Sequence, residues 1–135
     1  MFLVLLCVLT QTPPTNLYRL DVLKVYDGDT ITANVDLGFQ VGLTARSIRL
    51  AGYDAPEISR TRQTVEVTDA EIARGKLAKA ALTALLEANP GRVYLRPEGS
   101  GVGVYNRLLG YVVIYPKTGP PIDVAEYMLS HGFNR

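Results

Sequence analysis

The chain has 135 residues and a mass of 14.8 kDa, of which 47% are hydrophobic, and these totals fit one compact domain rather than two. Fourteen Lys and Arg residues against 13 Asp and Glu give a formal charge of +1, so any contact with a polyanion must be local. The single cysteine, Cys7, excludes an internal disulfide framework, and the single histidine, His131, excludes a His-rich zinc site. A metal bound here would therefore have oxygen ligands.

Residues 1–16 differ from the rest of the chain and form an apolar leader. The continuous apolar run at residues 2–9 is too short to span a bilayer, which takes about 20 apolar residues. Its length matches the hydrophobic region of a secretory signal, although it has no basic start and no clear cleavage site. Two interpretations stay open: a secreted protein with a signal peptide, or a cytoplasmic protein with an extra segment. Residues 17–135 form the predicted domain.

Alternating apolar residues predict three strands at the start of this domain. Residues 17–26 are rich in β-formers and lead into an Asp-Gly-Asp turn, and residues 31–37 alternate between apolar and polar. The alternation resumes in a third segment and changes phase before Ile48, which predicts a β-bulge near residues 46–47. The three strands form a meander in which Arg49 faces away from the core.

A helix and two further strands follow. Residues 68–71 (Thr-Asp-Ala-Glu) form a capping box, and the apolar stripe behind it continues to an Asn-Pro-Gly stop. Residues 92–96 and 108–115 predict two strands, joined by a Gly-rich stretch at residues 99–103. A short second helix begins after Asp123. The stripe predicted to face the core in the first helix comprises Leu77, Ala78, Ala81, Leu82, Leu85 and Leu86.

Five short strands with a helix after the third predict a mainly β, α+β fold. A flat sheet with one helix would leave its edge strands unprotected, whereas a closed barrel has no open edges. We therefore predict a five-stranded oligonucleotide-binding (OB-fold) barrel with two or three helices. A generic α+β sandwich is the alternative.

Acidic residues are placed where two neighbouring strands end. Asp29 and Asp54 would repel each other unless a cation lay between them or one carboxylate held a proton. Oxygen ligands favour calcium or magnesium, and calcium better tolerates an irregular mixture of carboxylate, backbone carbonyl and water. Asp27, Thr30 and the carbonyl of Ala55 could assist. In the alternative interpretation the turn aspartates only shape the turn.

Two arginines and a glutamate add to this set. Arg49 and Arg107 each offer a planar fork of donors suited to phosphate oxygens. Glu57 follows Asp54 by three residues, with Pro56 fixing the chain between them, so its carboxylate could act on a water molecule as a general base. Taken singly, each of these side chains is more often a surface charge. Together they indicate phosphodiester hydrolysis.

Four separated motifs occur in a fixed order along residues 17–135. They are Asp-Gly-Asp-Thr at 27–30, Arg-Leu-x-Gly-x-Asp-x-Pro-Glu at 49–57, Gly-x-x-Ala at 75–78 and Tyr-x-Arg-x-Leu-Gly-Tyr at 105–111. In this order they resemble the staphylococcal nuclease (thermonuclease) family. The chain departs from the family pattern at Gly103, where an acid is usual, at Val104, which is often basic, and at Asn106, where Gly is usual.

The resemblance implies a calcium-dependent endonuclease with an OB-fold barrel, which cuts DNA and RNA to leave 3′-phosphate ends. Its metal ligands would be Asp29, Asp54 and the carbonyl of Ala55. Its catalytic residues would be Arg49, Glu57 and Arg107, and Tyr105 would lie beside the bound nucleotide. Contacts to the shared phosphate backbone imply little sequence specificity.

The expected partners are DNA and RNA, single-stranded or locally opened, and the chain is expected to be a monomer without an integral membrane span. Two other functions stay open. One is a catalytically inactive nucleic-acid-binding OB-fold module, a class that typically lacks this set of acids and arginines. The other is an interaction module tethered by residues 2–9. The choice between calcium and magnesium, and between DNA and RNA, also stays open.

Overall fold

The computed structural model describes residues 16–59 and 67–135, so residues 1–15 of the predicted leader lie outside the described part of the chain. None of the helices in these two ranges is long and apolar enough to cross a membrane. The strands are β1 (Tyr18–Asp27), β2 (Thr30–Gly38), β3 (Val41–Leu50), β4 (Val93–Val102), β5 (Leu108–Ile114) and β6 (Ile122–Asp123). The α-helices are α1 (Asp69–Glu87) and α2 (Val124–Ser130), and a 3₁₀ turn spans Val104–Asn106.

The first five strands close into a mixed β-barrel. The sheet order is β3-β2-β1-β4-β5, and β5 pairs again with β3 to complete the ring. The closing pair is parallel, with Ile48 opposite Leu108 and Leu50 opposite Gly110, whereas the other pairs are antiparallel. Closure removes the strand edges, as the sequence predicts, and excludes the alternative two-layer sandwich. The two-residue strand β6, which the sequence does not predict, extends the sheet beside β5.

The barrel interior is filled by alternate residues of the strands and capped by the two helices. On β2 and β3 the inward residues are β-branched or aliphatic, and polar residues occupy the other face, which is the period-two pattern of a half-buried strand. The core side chains that the strands contribute include Leu20, Ile31, Val35, Ile48, Leu50, Val93, Leu95, Val112 and Ile114. The helices add Ala78, Leu82 and Leu86 from α1, and Val124, Ala125 and Met128 from α2.

The predicted bulge in β3 exists, but it lies before the predicted position. Between the pairs Val35–Leu43 and Ala33–Arg46, β3 has one more residue than β2. Ala45 takes up this extra residue with a left-handed φ of 51°, and its N–H donates to Asn34 Oδ1 at 2.8 Å. The bulge restores the phase that puts Ile48 and Leu50 inside the barrel. It therefore leaves Arg49 on the outer face.

The helices confirm the predicted caps and correct the predicted stripe. Thr68 accepts a hydrogen bond from Glu71 N–H at 3.1 Å, and Asp123 accepts one from Glu126 N–H at 3.3 Å. Leu77, predicted to face the core, is 62% exposed, and the buried position on that turn is Gly75. The Gly-rich stretch at residues 99–103, predicted as a connection, mostly extends β4 to Val102.

Candidate functional site

The turn between β1 and β2 separates the roles of its two aspartates. Asp27 Oδ1 accepts a hydrogen bond from the N–H of Asp29 at 3.0 Å, which is how an aspartate shapes a turn. The Asp29 carbonyl in turn accepts from Leu50 N–H at 2.8 Å, which ties this turn to the end of β3. Turn shaping therefore accounts for Asp27 but not for the carboxylate of Asp29.

The carboxylate of Asp29 is buried and points towards the loop after β3. Asp29 is only 6% exposed; its Oδ2 accepts from Ala55 N–H at 2.8 Å and its Oδ1 from the Thr30 hydroxyl at 3.1 Å. Burial, together with the nearby charge of Asp27, raises the pKa of Asp29 from 3.8 to about 6, although the Ala55 N–H and Arg49 oppose this shift. A buried carboxylate of this kind is stabilised by added positive charge.

Arg49 supplies that charge and joins the two predicted metal carboxylates. Its Nη2 lies 3.3 Å from Asp29 Oδ2 and 3.0 Å from Asp54 Oδ1. Its Nη1 donates to the carbonyls of Leu50 at 2.7 Å and Tyr53 at 3.1 Å, so the guanidinium also holds the loop in place. The structure thus brings Arg49, Asp29 and Asp54 together, as the sequence predicts.

The Tyr53 hydroxyl is part of this cluster, and the sequence analysis does not identify it. Tyr53 is 7% exposed, and its hydroxyl oxygen is buried with no hydrogen-bond partner among the described residues. Burial and the charges of Asp29 and Asp27 raise the pKa of this hydroxyl well above its usual range. Tyr53 therefore keeps its proton and is a neutral hydrogen-bond donor beside the acids. The motif at residues 49–57 allows any residue at position 53, so it does not single out this tyrosine.

Helix α1 fixes the position of Glu57 through close packing at two small residues. A Cβ added at Gly75 would lie 2.8 Å from the Pro56 carbonyl oxygen and still closer to the carbonyl oxygen of Glu57. A Cβ added at Gly28 would lie 2.8 Å from the Cβ atoms of both Ala55 and Ala78. The helix backbone therefore rests directly on the segment that carries Glu57 and on the turn between β1 and β2. The Gly-x-x-Ala motif has a packing role here.

Replacing Gly75 by Ala is expected to lower the free energy of unfolding by about 1 to 3 kcal/mol, because the new methyl group meets main-chain atoms that cannot rotate away. This loss outweighs the gain of about 1 kcal/mol that alanine brings within a helix. Urea denaturation would measure it, with the exposed neighbour Lys76→Ala as the control. A Gly75→Ala protein more stable than the wild type would show that the helix does not pack this closely.

Glu57 forms an ion pair that the sequence analysis does not anticipate. Its Oε1 lies 3.3 Å from Arg135 Nη1, and the Nε of Arg135 lies 3.0 Å from Glu71 Oε1. Partial burial raises the pKa of Glu57, the Arg135 charge lowers it, and Asp29 and Asp54 raise it further. Glu57 thus lies within electrostatic range of the acidic cluster. Arg135 is 78 positions away in sequence and belongs to no motif, so no pattern links it to Glu57.

The turn before β5 carries Tyr105 and Arg107. Tyr105 is 89% exposed and has a left-handed φ of 60°, which is uncommon for a residue with a Cβ. Asn106 follows with a φ of 57°, a conformation that Gly and Asn adopt most readily, so Asn suits the position where the family pattern has Gly. The Nε of Arg107 is buried without a hydrogen-bond partner, and its side chain forms no ion pair with the described acids.

Arg49 and Arg107 share the outer face of the parallel seam between β3 and β5. Arg49 pairs with Leu109, and Arg107 precedes Leu109 by two residues, so strand alternation assigns both positions to the face opposite Ile48 and Leu108. Strand geometry puts their Cα atoms about 8 Å apart. A phosphate group placed over this seam could therefore meet both guanidinium groups. The turn that precedes β5 is also bonded to β3, because Arg46 Nη2 donates to the Asn106 carbonyl at 3.2 Å.

The two carboxylates share one cation, which is the guanidinium of Arg49. Asp29 Oδ2 and Asp54 Oδ1 both lie within hydrogen-bond distance of Arg49 Nη2, so a metal ion held between them would take the place of that nitrogen. The described residues include no group of three or more His, Cys, Asp or Glu side chains arranged around a metal. An ion would thus depend on two carboxylates, completed by backbone carbonyl and water. Ala55 contacts Asp29 through its N–H. The carbonyl oxygen of Ala55, which is the predicted metal ligand, takes no part in that hydrogen bond.

A cavity of about 600 Å³ lies between β1 and the C-terminal end of α1, and its lining contains none of the predicted site residues.

No protein-family model matches this sequence, and none of the curated proteins matches it.

Proposed function

We propose that this chain is a calcium-dependent endonuclease of the staphylococcal nuclease type, with an OB-fold barrel, and that it hydrolyses phosphodiester bonds of DNA and RNA. One observation carries the proposal: the carboxylates of Asp29 and Asp54 meet at the guanidinium of Arg49, which lies on the seam between β3 and β5, and Arg107 immediately precedes β5. The closed five-stranded ring with a helix between its third and fourth strands supports the OB-fold assignment.

The chemistry follows from where negative charge develops. A phosphodiester carries one negative charge and gains more as water attacks, so groups that bind the added charge lower the barrier. Arg49 and Arg107 would bind the non-bridging oxygens from the two strands of the seam. Glu57, held beside the acids, would accept a proton from the attacking water. Calcium, when bound by Asp29 and Asp54, would supply further positive charge at the phosphate.

Tyr105 gives the proposed substrate class a physical basis. Its ring is almost fully exposed at the tip of the turn before Arg107. An exposed aromatic ring can stack on any unpaired base, which favours single-stranded or locally opened nucleic acid with little sequence preference. Arginine contacts to phosphate likewise carry no base information.

A second function is favoured by a specific observation. The guanidinium of Arg49 itself neutralises Asp29 and Asp54, and two acidic side chains are a small ligand set for a metal. A catalytically inactive nucleic-acid-binding barrel would need only the arginines and Tyr105. The two functions differ in one measurable respect, which is whether the protein cuts the nucleic acid that it binds.

We expect the protein to cleave single-stranded DNA in calcium and to stop when a chelator is added. The Glu57→Gln and Arg107→Ala variants are each expected to lose about 100-fold in rate, the first through loss of the base and the second through loss of a phosphate donor. Labelled oligonucleotides separated on a gel would measure the rates and show whether the ends carry 3′-phosphate. Repeating the assay in magnesium and with RNA tests the choice of ion and of substrate.

Glu87→Gln is the matched control, because Glu87 is an exposed residue at the far end of α1. Binding without any cleavage in calcium would select the inactive barrel. Cleavage that persists at the wild-type rate in either variant would remove that residue from the mechanism.

A further inference from the structure

The segment after α2 is anchored against the candidate site. Arg74, on the exposed side of α1, donates through Nη2 to the carbonyls of Gly132 at 3.1 Å and Asn134 at 2.8 Å. The N–H of Arg135 donates to the carbonyl of Asp54 at 2.7 Å. Three hydrogen bonds therefore fix the backbone of this segment beside the loop that carries Asp54.

The side chain of Arg135 continues from this anchored backbone to two glutamates. Its Nη1 meets Glu57 Oε1 at 3.3 Å and its Nε meets Glu71 Oε1 at 3.0 Å. The side chains of Arg135, Glu57 and Glu71 are 27%, 26% and 19% exposed, so the bridge is partly shielded from water. Glu71 is itself held in the first turn of α1, where its N–H bonds to Thr68. The guanidinium thus connects Glu57 to a rigid helix end.

No other group in the described ranges holds the Glu57 carboxylate. Its main chain is confined by Pro56, which is fully buried, and by the close approach of Gly75. Beyond the main chain, a glutamate has three rotatable bonds before its carboxylate. Among the described residues the carboxylate meets a hydrogen-bond donor only at Arg135. Within the described part of the chain, the orientation of the Glu57 carboxylate therefore depends on that one contact.

We infer that Arg135 is a positioning residue, which holds the Glu57 carboxylate in its working orientation and uses Glu71 as its own anchor. The inference rests on the proposed nuclease function and deepens it. A purely stabilising role does not fit the geometry, because ion pairs of this exposure add little to folding stability.

Steady-state kinetics on a single-stranded oligonucleotide in calcium test this role. Arg135→Gln is expected to lower kcat by about 10- to 100-fold while KM changes by less than about twofold, because an ill-placed base slows chemistry without weakening binding. Arg135→Lys should recover part of the loss, since lysine keeps the charge but cannot bridge both glutamates in one plane. Glu71→Gln should cause a smaller loss in kcat. Arg19→Gln, which removes an exposed ion pair on β1, is the control.

A double-mutant cycle separates positioning from other effects. In a Glu57→Gln background, Arg135→Gln is expected to change the residual rate by less than about twofold, because it acts only through Glu57. If Arg135→Gln lowered the rate by the same factor in both backgrounds, the inference would be overturned. It would also be overturned if the loss of activity came from a higher KM, or if the melting temperature fell far enough to explain the lower rate. A wild-type protein that cuts nothing would overturn the nuclease proposal and this inference together. A wild type that cuts as fast as Arg135→Gln would overturn only the inference.

Discussion

Asp29→Asn is expected to lower calcium-dependent cleavage by about 1000-fold and, in the presence of a chelator, to raise the free energy of unfolding. The two effects have one cause. The wild-type carboxylate is buried next to Asp27, and this raises its pKa from 3.8 to about 6, a cost of about 2 to 3 kcal/mol for holding the charge at neutral pH. The amide carries no charge. It can still accept from Ala55 N–H and donate to the Thr30 hydroxyl, which accepts as well as donates.

The stability gain of Asp29→Asn has a definite pH dependence. A carboxyl whose pKa is raised by folding stabilises the folded state only while it is protonated. The stability of the wild type is therefore highest, with respect to this group, below pH 3.8 and is lost as the pH rises through about 6. We expect the difference between variant and wild type to be largest above pH 6 and to vanish below about pH 3.8.

Urea denaturation in chelator at several pH values, together with cleavage assays in calcium, would measure both effects. Asp21→Asn, on the exposed face of β1, is the control and should change neither. Calcium should stabilise the wild type by mass action and leave Asp29→Asn unchanged. A variant that is less stable than the wild type in chelator at pH 7 would contradict the assignment of a charged, strained carboxylate to this position.

Arg49→Lys is expected to lower the cleavage rate by about 1000-fold and the free energy of unfolding by about 1 to 3 kcal/mol. The guanidinium makes four contacts through its two terminal nitrogens, to Asp29, Asp54 and the carbonyls of Leu50 and Tyr53. An ammonium group is a point charge with no planar fork, so it cannot satisfy the acids and the carbonyls together. The partly buried carbonyls would then lack a donor.

The same two assays test this substitution, with Arg92→Lys as the matched control because Arg92 is exposed and makes one side-chain contact, to the Tyr115 carbonyl. The charge is conserved in both variants, so a difference between them isolates the geometry of the fork. Full activity in Arg49→Lys would mean that positive charge alone suffices at this position and that the four contacts are incidental.

Much of the barrel could be predicted because alternation and caps are local properties. Ile48 and Leu50 reveal the inward face of β3, and Thr68 and Asp123 mark the helix starts. The sequence predictions failed where tertiary packing decides which residues are buried and which segments pair. Leu77 looks like a core residue on a helical wheel, but the loop that carries Pro56 and Glu57 approaches α1 at Gly75, where only a residue without a side chain fits. The two residues of β6 pair with β5 because the chain returns to that strand. A segment of two residues is too short to show a strand pattern in the sequence.

The candidate site likewise contains residues that local motifs predict and residues that only tertiary contacts reveal. Asp29, Asp54 and Arg49 stand in motifs whose spacing predicts their meeting, and the structure joins them. Their assigned roles in metal binding and catalysis stay predictions. Arg135 and Tyr53 could not be found in this way, because their importance comes from contacts across the fold and not from neighbours in sequence. Motif spacing thus identified the groups that are proposed to bind a ligand, and it did not identify the groups that support them.

The parallel seam between β3 and β5 also determines when the site can exist. Residues 48–50 meet residues 108–110 only after β4 has been made and the ring has closed, and the Ala51 N–H then bonds to the Gly110 carbonyl at 2.8 Å. Contacts this distant in sequence form late, because the loop between them must be ordered first. A chain still emerging from the ribosome thus carries Asp29, Arg49 and Asp54 without the strand that brings Arg107 beside them. The site is therefore assembled only once β5 has paired with β3.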